Sequence, residues 1–239
     1  MATVRLHYIY NPLCGWCYGA APLALAAQEI EGLDLILHGG GMMTGSNSRT
    51  ITPEWHDYAI PHDRRIAQMT GQTFGENYYE GLLRDTSVIL DSAPPTAAVL
   101  AAEAIADKGM EMLYQIEQAH YVSGLKIADV AVLRQCAEEI GLDGDAFCTE
   151  FAFIQAGALS KHISASRELL AKVRGQGFPT FALEDANGNF QQIPAANYLG
   201  QVDAWRKVLT QMVNPRHRIT FSSLFPREQA TACSLFLCS

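Results

Sequence analysis

The sequence predicts an α/β fold in which a small sheet is interrupted by a long helical insertion. Three observations support this prediction. A strand–helix–strand pattern fills the first forty residues, helical periodicity without a convincing strand fills residues 45–157, and strands return after residue 178. The 239 residues, 49% of them apolar, suffice for one large or two small domains with a substantial core.

The first elements form a β-α-β unit. Residues 3–10 are a predicted strand, because β-branched and aromatic residues dominate and an Asn-Pro pair follows them. A helix rich in Ala and Leu covers about residues 14–30, with Gly32 at the position of a C-cap. Residues 33–38 are a short apolar strand. This order predicts a parallel strand pair with a right-handed crossover.

The middle of the chain is predicted to be helical. Its helical segments cover residues 53–70, 75–84, 93–107, 109–122, 129–141 and 143–153. Asp129 or a neighbour is expected to cap the fifth segment, and Pro94-Pro95 suits the first turn of the third. The glycine-rich run at residues 39–45 lacks the Gly-Lys-Ser/Thr of a phosphate-binding loop, so we expect a flexible exit from the second strand.

The last part returns to a mixed pattern. A helix is predicted at about residues 160–174, then strands at 179–184 and 190–193, then a helix at 198–213. Asn187-Gly188 lies between the two strands and is a strong signal for a β-hairpin.

Without the insertion, the remaining elements have the layout of a thioredoxin fold, with an all-helical domain inserted after the second strand. The predicted domains are a discontinuous thioredoxin-like domain and the inserted helical domain, followed by a C-terminal tail. Their bounds are residues 1–44 with 158–213, residues 45–157, and residues 214–239.

Cys14-Gly15-Trp16-Cys17 lies directly after the first strand, where the first helix begins. A helix N-terminus offers unpaired N–H groups and a positive dipole end, which favour a thiolate. A second thiol about one turn later can resolve a mixed disulfide. We therefore predict Cys14 as the exposed nucleophile and Cys17 as the resolving thiol. The alternatives are a structural dithiol or half of a metal site.

Gly177-Phe178-Pro179-Thr180 stands at the entry to the first hairpin strand. We predict that Pro179 follows a cis peptide bond and lies beside the cysteine pair. The backbone of Phe178 then remains free to pair with an extended substrate. Trp16 is predicted to contribute to an apolar substrate surface around the thiols. The other candidates for that surface are Tyr18, Phe178, Trp55, Met42 and Met43.

These segments resemble the DsbA-like thioredoxin-fold oxidoreductases, in particular the FrnE-like branch. The resemblance is carried by residues 8–19 (YIYNPLCGWCYG), by the turn at residues 177–180, and by the all-helical insertion between them. It covers about residues 3–213. It implies thiol–disulfide exchange on protein or peptide thiols, with Cys14 as nucleophile, Cys17 as resolving cysteine and Pro179 as the cis-proline. The direction of electron transfer stays open.

Two rival functions are also considered. One is a glutathione-dependent transferase or isomerase of the kappa-class or hydroxychromene carboxylate isomerase type, which shares the inserted helical domain but normally has Ser where Cys14 stands. The other is a non-catalytic binding module, such as a chaperone. We expect no cofactor beyond the redox-active disulfide, with glutathione as a candidate co-substrate.

Composition limits the partners. Seventeen basic against 25 acidic residues give a net charge of −8, which argues against a nucleic-acid binder. No signal peptide and no apolar run long enough to span a membrane is found, so a cytoplasmic protein without membrane contact is expected. The seven His residues show no metal-ligand pattern, so no metal is predicted. The oligomeric state is not predicted.

Cys233 and Cys238 form a second close pair in the tail. They are interpreted in three ways: a shuttle dithiol that exchanges with Cys14 and Cys17, a zinc site that uses all four thiols, or two unrelated thiols. Cys136 and Cys148, in the insertion, are expected to be core thiols.

Overall fold

The structure is a computed structural model, and it describes residues 4–213. The strands are β1 (Val4–Tyr10), β2 (Leu33–Gly39), β3 (Arg49–Thr50), β4 (Ile89–Leu90), β5 (Thr180–Glu184) and β6 (Phe190–Ile193). The α-helices are α1 (Gly15–Gln28), α2 (Pro53–Thr70), α3 (Ala93–Ala106), α4 (Gly109–Tyr121), α5 (Val130–Glu139), α6 (Gly144–Phe153), α7 (Leu159–Lys172) and α8 (Val202–Val213). Short 3-10 or π-helical turns span Gly45–Asn47, Asn77–Gly81, Leu82–Arg84, Ile154–Ala158 and Ala195–Tyr198.

A four-stranded sheet in the order β2-β1-β5-β6 organises the α/β part. β1 and β2 are parallel, with Val4 opposite Leu33, as the β-α-β pattern predicts. β5 runs antiparallel to β1 and forms a hairpin with β6. The hairpin turn is closed by the side chain of Asp185, whose Oδ1 accepts hydrogen bonds from two backbone N–H groups of the turn. This is the predicted thioredoxin fold with its helical insertion.

The insertion differs from the prediction in two places. β3 and β4 pair into a small antiparallel sheet where no strand was expected, because two residues on each side are too short to show a period. The segment predicted as a helix at residues 75–84 is a π-helical turn followed by a 3-10 turn. Asp129 does occupy the N-cap position of α5, but its side chain makes no capping hydrogen bond.

Two glycine positions also correct the sequence analysis. The C-cap of α1 is Glu29 in right-handed conformation, so Gly32, with φ of +83°, serves the turn into β2 instead. The run after β2 is held in place: Arg167 of α7 donates hydrogen bonds of 2.9 and 2.6 Å to the carbonyl oxygens of Gly40 and Gly41. The expected flexible exit from β2 is therefore a loop that the Arg167 side chain fixes through two hydrogen bonds.

One continuous cluster of buried apolar residues joins the sheet to the insertion. Trp205 of α8 is fully buried, packs edge-on against Phe181, and donates from Nε1 to the Leu23 carbonyl oxygen at 2.8 Å. Phe147 of α6, in the insertion, is equally buried and belongs to the same cluster. Cys136 is buried within it, and Cys148 is partly buried. The division into domains at residues 44/45 and 157/158 stays a prediction.

The tail with Cys233 and Cys238 lies outside the described residues, and so do residues 1–3. Within the described part, every helix is too short or too polar to traverse a lipid bilayer.

Candidate active site

Cys14 is the N-cap residue of α1, in extended conformation, and its carbonyl oxygen accepts the first hydrogen bonds of the helix from Cys17 and Tyr18. Its side chain therefore stands at the positive end of the helix, as predicted. The expectation that Cys14 is exposed is wrong, since it is only 3% exposed. Residues of the insertion cover it, so a substrate reaches the sulfur through a pocket.

The two thiols have opposite acidities. Hydrogen bonds from the Cys17 thiol and from the backbone N–H groups of Cys17 and Trp16 lower the pKa of Cys14, although burial opposes them. Burial raises the pKa of Cys17 well above its usual value, because that side chain is sealed from solvent. The N–H of Asn11 donates to the Cys17 Sγ at 3.4 Å. Of the pair, Cys14 is the thiol that ionises first and has access to the pocket.

Pro179 follows a cis peptide bond, as predicted, and the preceding carbonyl meets the reactive sulfur. The Cys14 Sγ donates to the Phe178 carbonyl oxygen at 3.5 Å. The ring of Phe178 lies against Gly40, where a Cβ atom would stand 2.1 Å from the ring. Gly40 is thus required by packing, and the loop held by Arg167 supports the position of the Phe178 carbonyl.

One pocket contains Cys14, and its opposite wall is a single face of α2. Residues at positions 55, 58, 59, 62, 63 and 66 line it, which is the three-to-four spacing of one helix face. Trp16, Met42, Met43 and Trp55 of the predicted apolar surface are in the lining. Tyr18 is not part of it: it stacks on Tyr121 at 4.9 Å and donates to the Thr73 carbonyl oxygen.

Comparison with known proteins decides the family. No protein-family model matches the chain, and no curated protein sequence does. Among solved structures, the cytosolic disulfide reductase DsbM from Pseudomonas aeruginosa is 51% identical, with a TM-score of 0.82, and the match covers 87% of this chain and 98% of that one. The chain belongs to the DsbA family of thiol–disulfide oxidoreductases. It is therefore an enzyme of thiol–disulfide exchange.

Further structures agree with this placement in the DsbA family. DsbM with GSH matches with 50% identity and a TM-score of 0.81 over the same shares of the two chains. A structure from Nitrosomonas europaea is 25% identical, covers 87% of this chain and 96% of its own, and has a TM-score of 0.71. A structure from Streptomyces coelicolor is 16% identical with a TM-score of 0.60 and shows the fold alone.

Two buried carboxyl groups near the thiols were missed by the sequence analysis of this DsbA-family chain. Glu117 of α4 is fully buried, and neither of its side-chain oxygens has a hydrogen-bond partner within residues 4–213. Burial raises its pKa well above the usual value, and it acts electrostatically on Cys17. Asp63 of α2 is 5% exposed and lines the pocket. A polar residue within the apolar stripe of α2 was the available signal for Asp63.

Within residues 4–213, no three His, Cys, Asp or Glu side chains are grouped closely enough to hold a metal ion. The site therefore consists of a dithiol, a backbone carbonyl, an aromatic and methionine lining, and buried carboxyl groups.

Proposed function

We propose that this protein is a disulfide reductase that acts on protein or peptide disulfides through Cys14 and Cys17, with glutathione as co-substrate that returns the electrons. One observation carries the proposal: the thiol with the lowered pKa faces a pocket, and its partner with the raised pKa is sealed behind it. The direction of transfer is supported by DsbM, a cytosolic disulfide reductase that is 51% identical.

The reaction proceeds in two displacements. The Cys14 thiolate attacks one sulfur of the substrate disulfide, so that a Cys14–substrate disulfide forms and the other substrate sulfur leaves as a thiolate that takes up a proton. Cys17 then loses its proton and attacks Cys14, which forms the Cys14–Cys17 disulfide and releases the second substrate thiol. Two electrons pass from the dithiol to the substrate. Two glutathione molecules restore the dithiol by the reverse exchange and leave as glutathione disulfide.

Substrate is held beside the reactive sulfur. We assign the backbone of Phe178, with Pro179 after it, to pairing with an extended segment of the substrate, because the Phe178 carbonyl already lies 3.5 Å from the Cys14 Sγ. Trp16, which lines the pocket together with Cys14, supplies apolar contact to the substrate. No cofactor beyond the redox-active dithiol is assigned. A cytoplasmic location and membership of the FrnE-like branch are part of the proposal, and DsbM, which is cytosolic, supports the first.

The test begins with the reduction potential of the Cys14–Cys17 pair, titrated in glutathione buffers and followed by the fluorescence of Trp16. A value near that of thioredoxin, about −270 mV, is expected for a reductase, whereas a value near about −120 mV would indicate an oxidant like DsbA and contradict the proposal. Turnover of a peptide disulfide with reduced glutathione is then measured.

Two variants assign the thiols in that assay. Cys14→Ala is expected to abolish turnover. Cys17→Ala is expected to stop at the Cys14–substrate disulfide, which mass spectrometry detects as an adduct. Glutathione-dependent turnover that survives Cys17→Ala would favour the transferase or isomerase instead. A binding module would be favoured by two results together: the wild type shows no redox activity, and the Cys14→Ser/Cys17→Ser variant still suppresses the aggregation of a client protein.

A further inference from the structure

Asp63 lines the same pocket as the reactive cysteine and packs against the segment that carries it. Its Oδ1 packs against Gly15, the residue after Cys14, where a Cβ atom would stand 2.9 Å from that oxygen. Its Oδ2 accepts a hydrogen bond of 2.9 Å from the Tyr78 hydroxyl. Both Asp63 and Cys14 line the pocket. The carboxyl group is therefore fixed on both sides beside the place where a substrate disulfide meets Cys14.

Among residues 4–213, no cationic side chain forms a salt bridge with this carboxyl group. Burial raises the pKa of Asp63 to about 7, and the hydrogen bond from Tyr78 only partly opposes that effect. Arg49 and His62 share the pocket, but the Arg49 guanidinium lies over the Trp55 ring, and the His62 Nδ1 pairs with the Tyr58 carbonyl oxygen. A large share of the molecules thus carries Asp63 as the neutral acid near neutral pH.

The protonation state of Asp63 affects Cys14 directly. An ionised Asp63 raises the pKa of the Cys14 thiol by electrostatic repulsion of the thiolate. The state that favours a thiolate at Cys14 is therefore the one in which Asp63 still holds its proton. A nucleophilic thiolate and a proton donor then face the same small space at the same time.

We propose that Asp63 is a catalytic general acid that protonates the thiolate leaving from the substrate disulfide. This inference rests on the proposed function, since it assigns the proton of the first displacement. The Cys14 thiolate forms the new S–S bond, the substrate S–S bond breaks, and the electron pair stays on the leaving sulfur. That sulfur takes the proton of the Asp63 carboxyl group and departs as a thiol. The resulting carboxylate regains a proton from water through the pocket.

The pH dependence involves all groups that face Asp63. They are Cys14 at the start of α1, Tyr78 and Tyr79 in the π-helical turn, Tyr121 of α4, His62 of α2, and Arg49 of β3. Burial raises the pKa of Tyr78 and Tyr121 far above neutrality, so these hydroxyls stay protonated. Asp63, with its pKa raised to about 7, and Cys14, with its lowered pKa, are therefore the two groups whose protonation we assign to the pH dependence of the first displacement.

The test compares two disulfides that differ in how much their leaving thiolate needs a proton. Reduced protein is mixed with hydroxyethyl disulfide, whose alkyl thiolate is basic, or with dithiobis(nitrobenzoate), whose aryl thiolate is stable without a proton. Asp63→Asn keeps the shape and can still accept the hydrogen bond from Tyr78. It is expected to slow reduction of the alkyl disulfide about 10²-fold. The aryl rate should not fall, because loss of the carboxylate can only favour the Cys14 thiolate.

The pH profile supplies a second readout. For the wild type, the alkyl rate is expected to fall as pH rises past about 7, because Asp63 loses its proton there. Asp63→Asn should lack this descending limb. Tyr78→Phe removes the hydrogen bond to the carboxylate, which raises the pKa of Asp63 and moves the limb to higher pH. Asp57→Asn is the matched control on the same helix, since Asp57 is exposed, and its rates should equal those of the wild type.

The outcomes separate this proposal from the proposed function. Cys14→Ala should reduce neither disulfide, and retention of both rates there would refute the proposed function. If Cys14→Ala loses both rates while Asp63→Asn keeps the alkyl rate and its descending limb, only the role of Asp63 is refuted. An equal loss of alkyl and aryl rates in Asp63→Asn would show a structural role and refute the general acid. If Asp63→Asn does not fold, Tyr78→Phe replaces it. A pH profile of the alkyl rate in Tyr78→Phe that falls at the same pH as that of the wild type would then refute the general acid.

Discussion

The two walls of the pocket differ in how they arise. One wall is the continuous segment 13–16 at the start of α1, which contains Cys14. The Cys14 sulfur also contacts the Phe178 carbonyl oxygen, which is outside the pocket lining. The opposite wall is one face of α2 in the insertion, and it contributes Trp55 and Asp63. The first wall supplies the reactive sulfur, and the second decides what reaches it and in which protonation state. The position of the reactive sulfur is therefore set by local structure, while its access and protonation depend on the assembled chain.

The largest effect should come from breaking the core that joins the two regions. Trp205→Ala beside the sheet and Phe147→Ala in the insertion each remove a fully buried aromatic side chain. Each is expected to lower the free energy of unfolding by about 3–5 kcal/mol. Because the buried cluster is continuous, both variants should lower the midpoint of one common transition in denaturant, followed by circular dichroism.

Phe153→Ala is the control for this pair, because Phe153 is 68% exposed and its loss should change stability by less than about 0.5 kcal/mol. Two separate unfolding transitions, each shifted by only one of the two buried substitutions, would show that the sheet and the insertion do not unfold together. That result would support the predicted boundaries at residues 44/45 and 157/158 instead.

A smaller effect is expected where the start of α1 packs against α2. A Cβ atom at Gly15 would stand 2.9 Å from the Asp63 Oδ1 and 3.0 Å from the Ile66 Cδ1. Gly15→Ala should push α2 away from Cys14 and lower the free energy of unfolding by about 1–3 kcal/mol. It should also slow reduction of the alkyl disulfide more than that of the aryl disulfide, because Asp63 is displaced. The free energy of unfolding is measured by denaturant titration, and the two rates are measured with hydroxyethyl disulfide and dithiobis(nitrobenzoate).

Gly157→Ala provides the matched control for Gly15→Ala. Gly157 is exposed in a π-helical turn, and a Cβ atom there meets nothing within 4 Å. This variant should keep both rates and should gain rather than lose stability, by up to about 1 kcal/mol. If Gly15→Ala behaved like Gly157→Ala, the close contact between the walls would not matter for the reaction.

The smallest effect concerns helix capping within the insertion, where two aspartates occupy equivalent positions. Asp143 Oδ1 accepts hydrogen bonds from the N–H groups of Asp145 and Ala146 at the start of α6. Asp129 stands at the N-cap of α5 without such a bond. Asp143→Ala should therefore lower the free energy of unfolding by about 1 kcal/mol in a urea titration, and Asp129→Ala by clearly less. Equal losses would show that the side-chain bonds contribute nothing.

Much of the fold followed from the sequence because its signals are local. The β-α-β start, the Asn187-Gly188 hairpin and the long insertion helices depend on periodicity and turn chemistry within a few residues. The short strands β3 and β4 were missed, since a pairing of two residues leaves no period to detect. The burial of Cys14 was missed for another reason: the residues of α2 that line its pocket are more than forty positions away.

The sequence by itself determined the chemistry available to this protein: a dithiol at a helix N-terminus and a Phe-Pro peptide bond at the entry to β5. Those properties follow from residues that are neighbours in the chain. Only the tertiary structure decided that Cys17 is sealed, that Gly40 must admit the Phe178 ring, and that Asp63 and Glu117 are buried near the thiols. The physical reason is that burial sets the pKa of a carboxyl group or a thiol, and burial depends on contacts between segments that are distant in sequence.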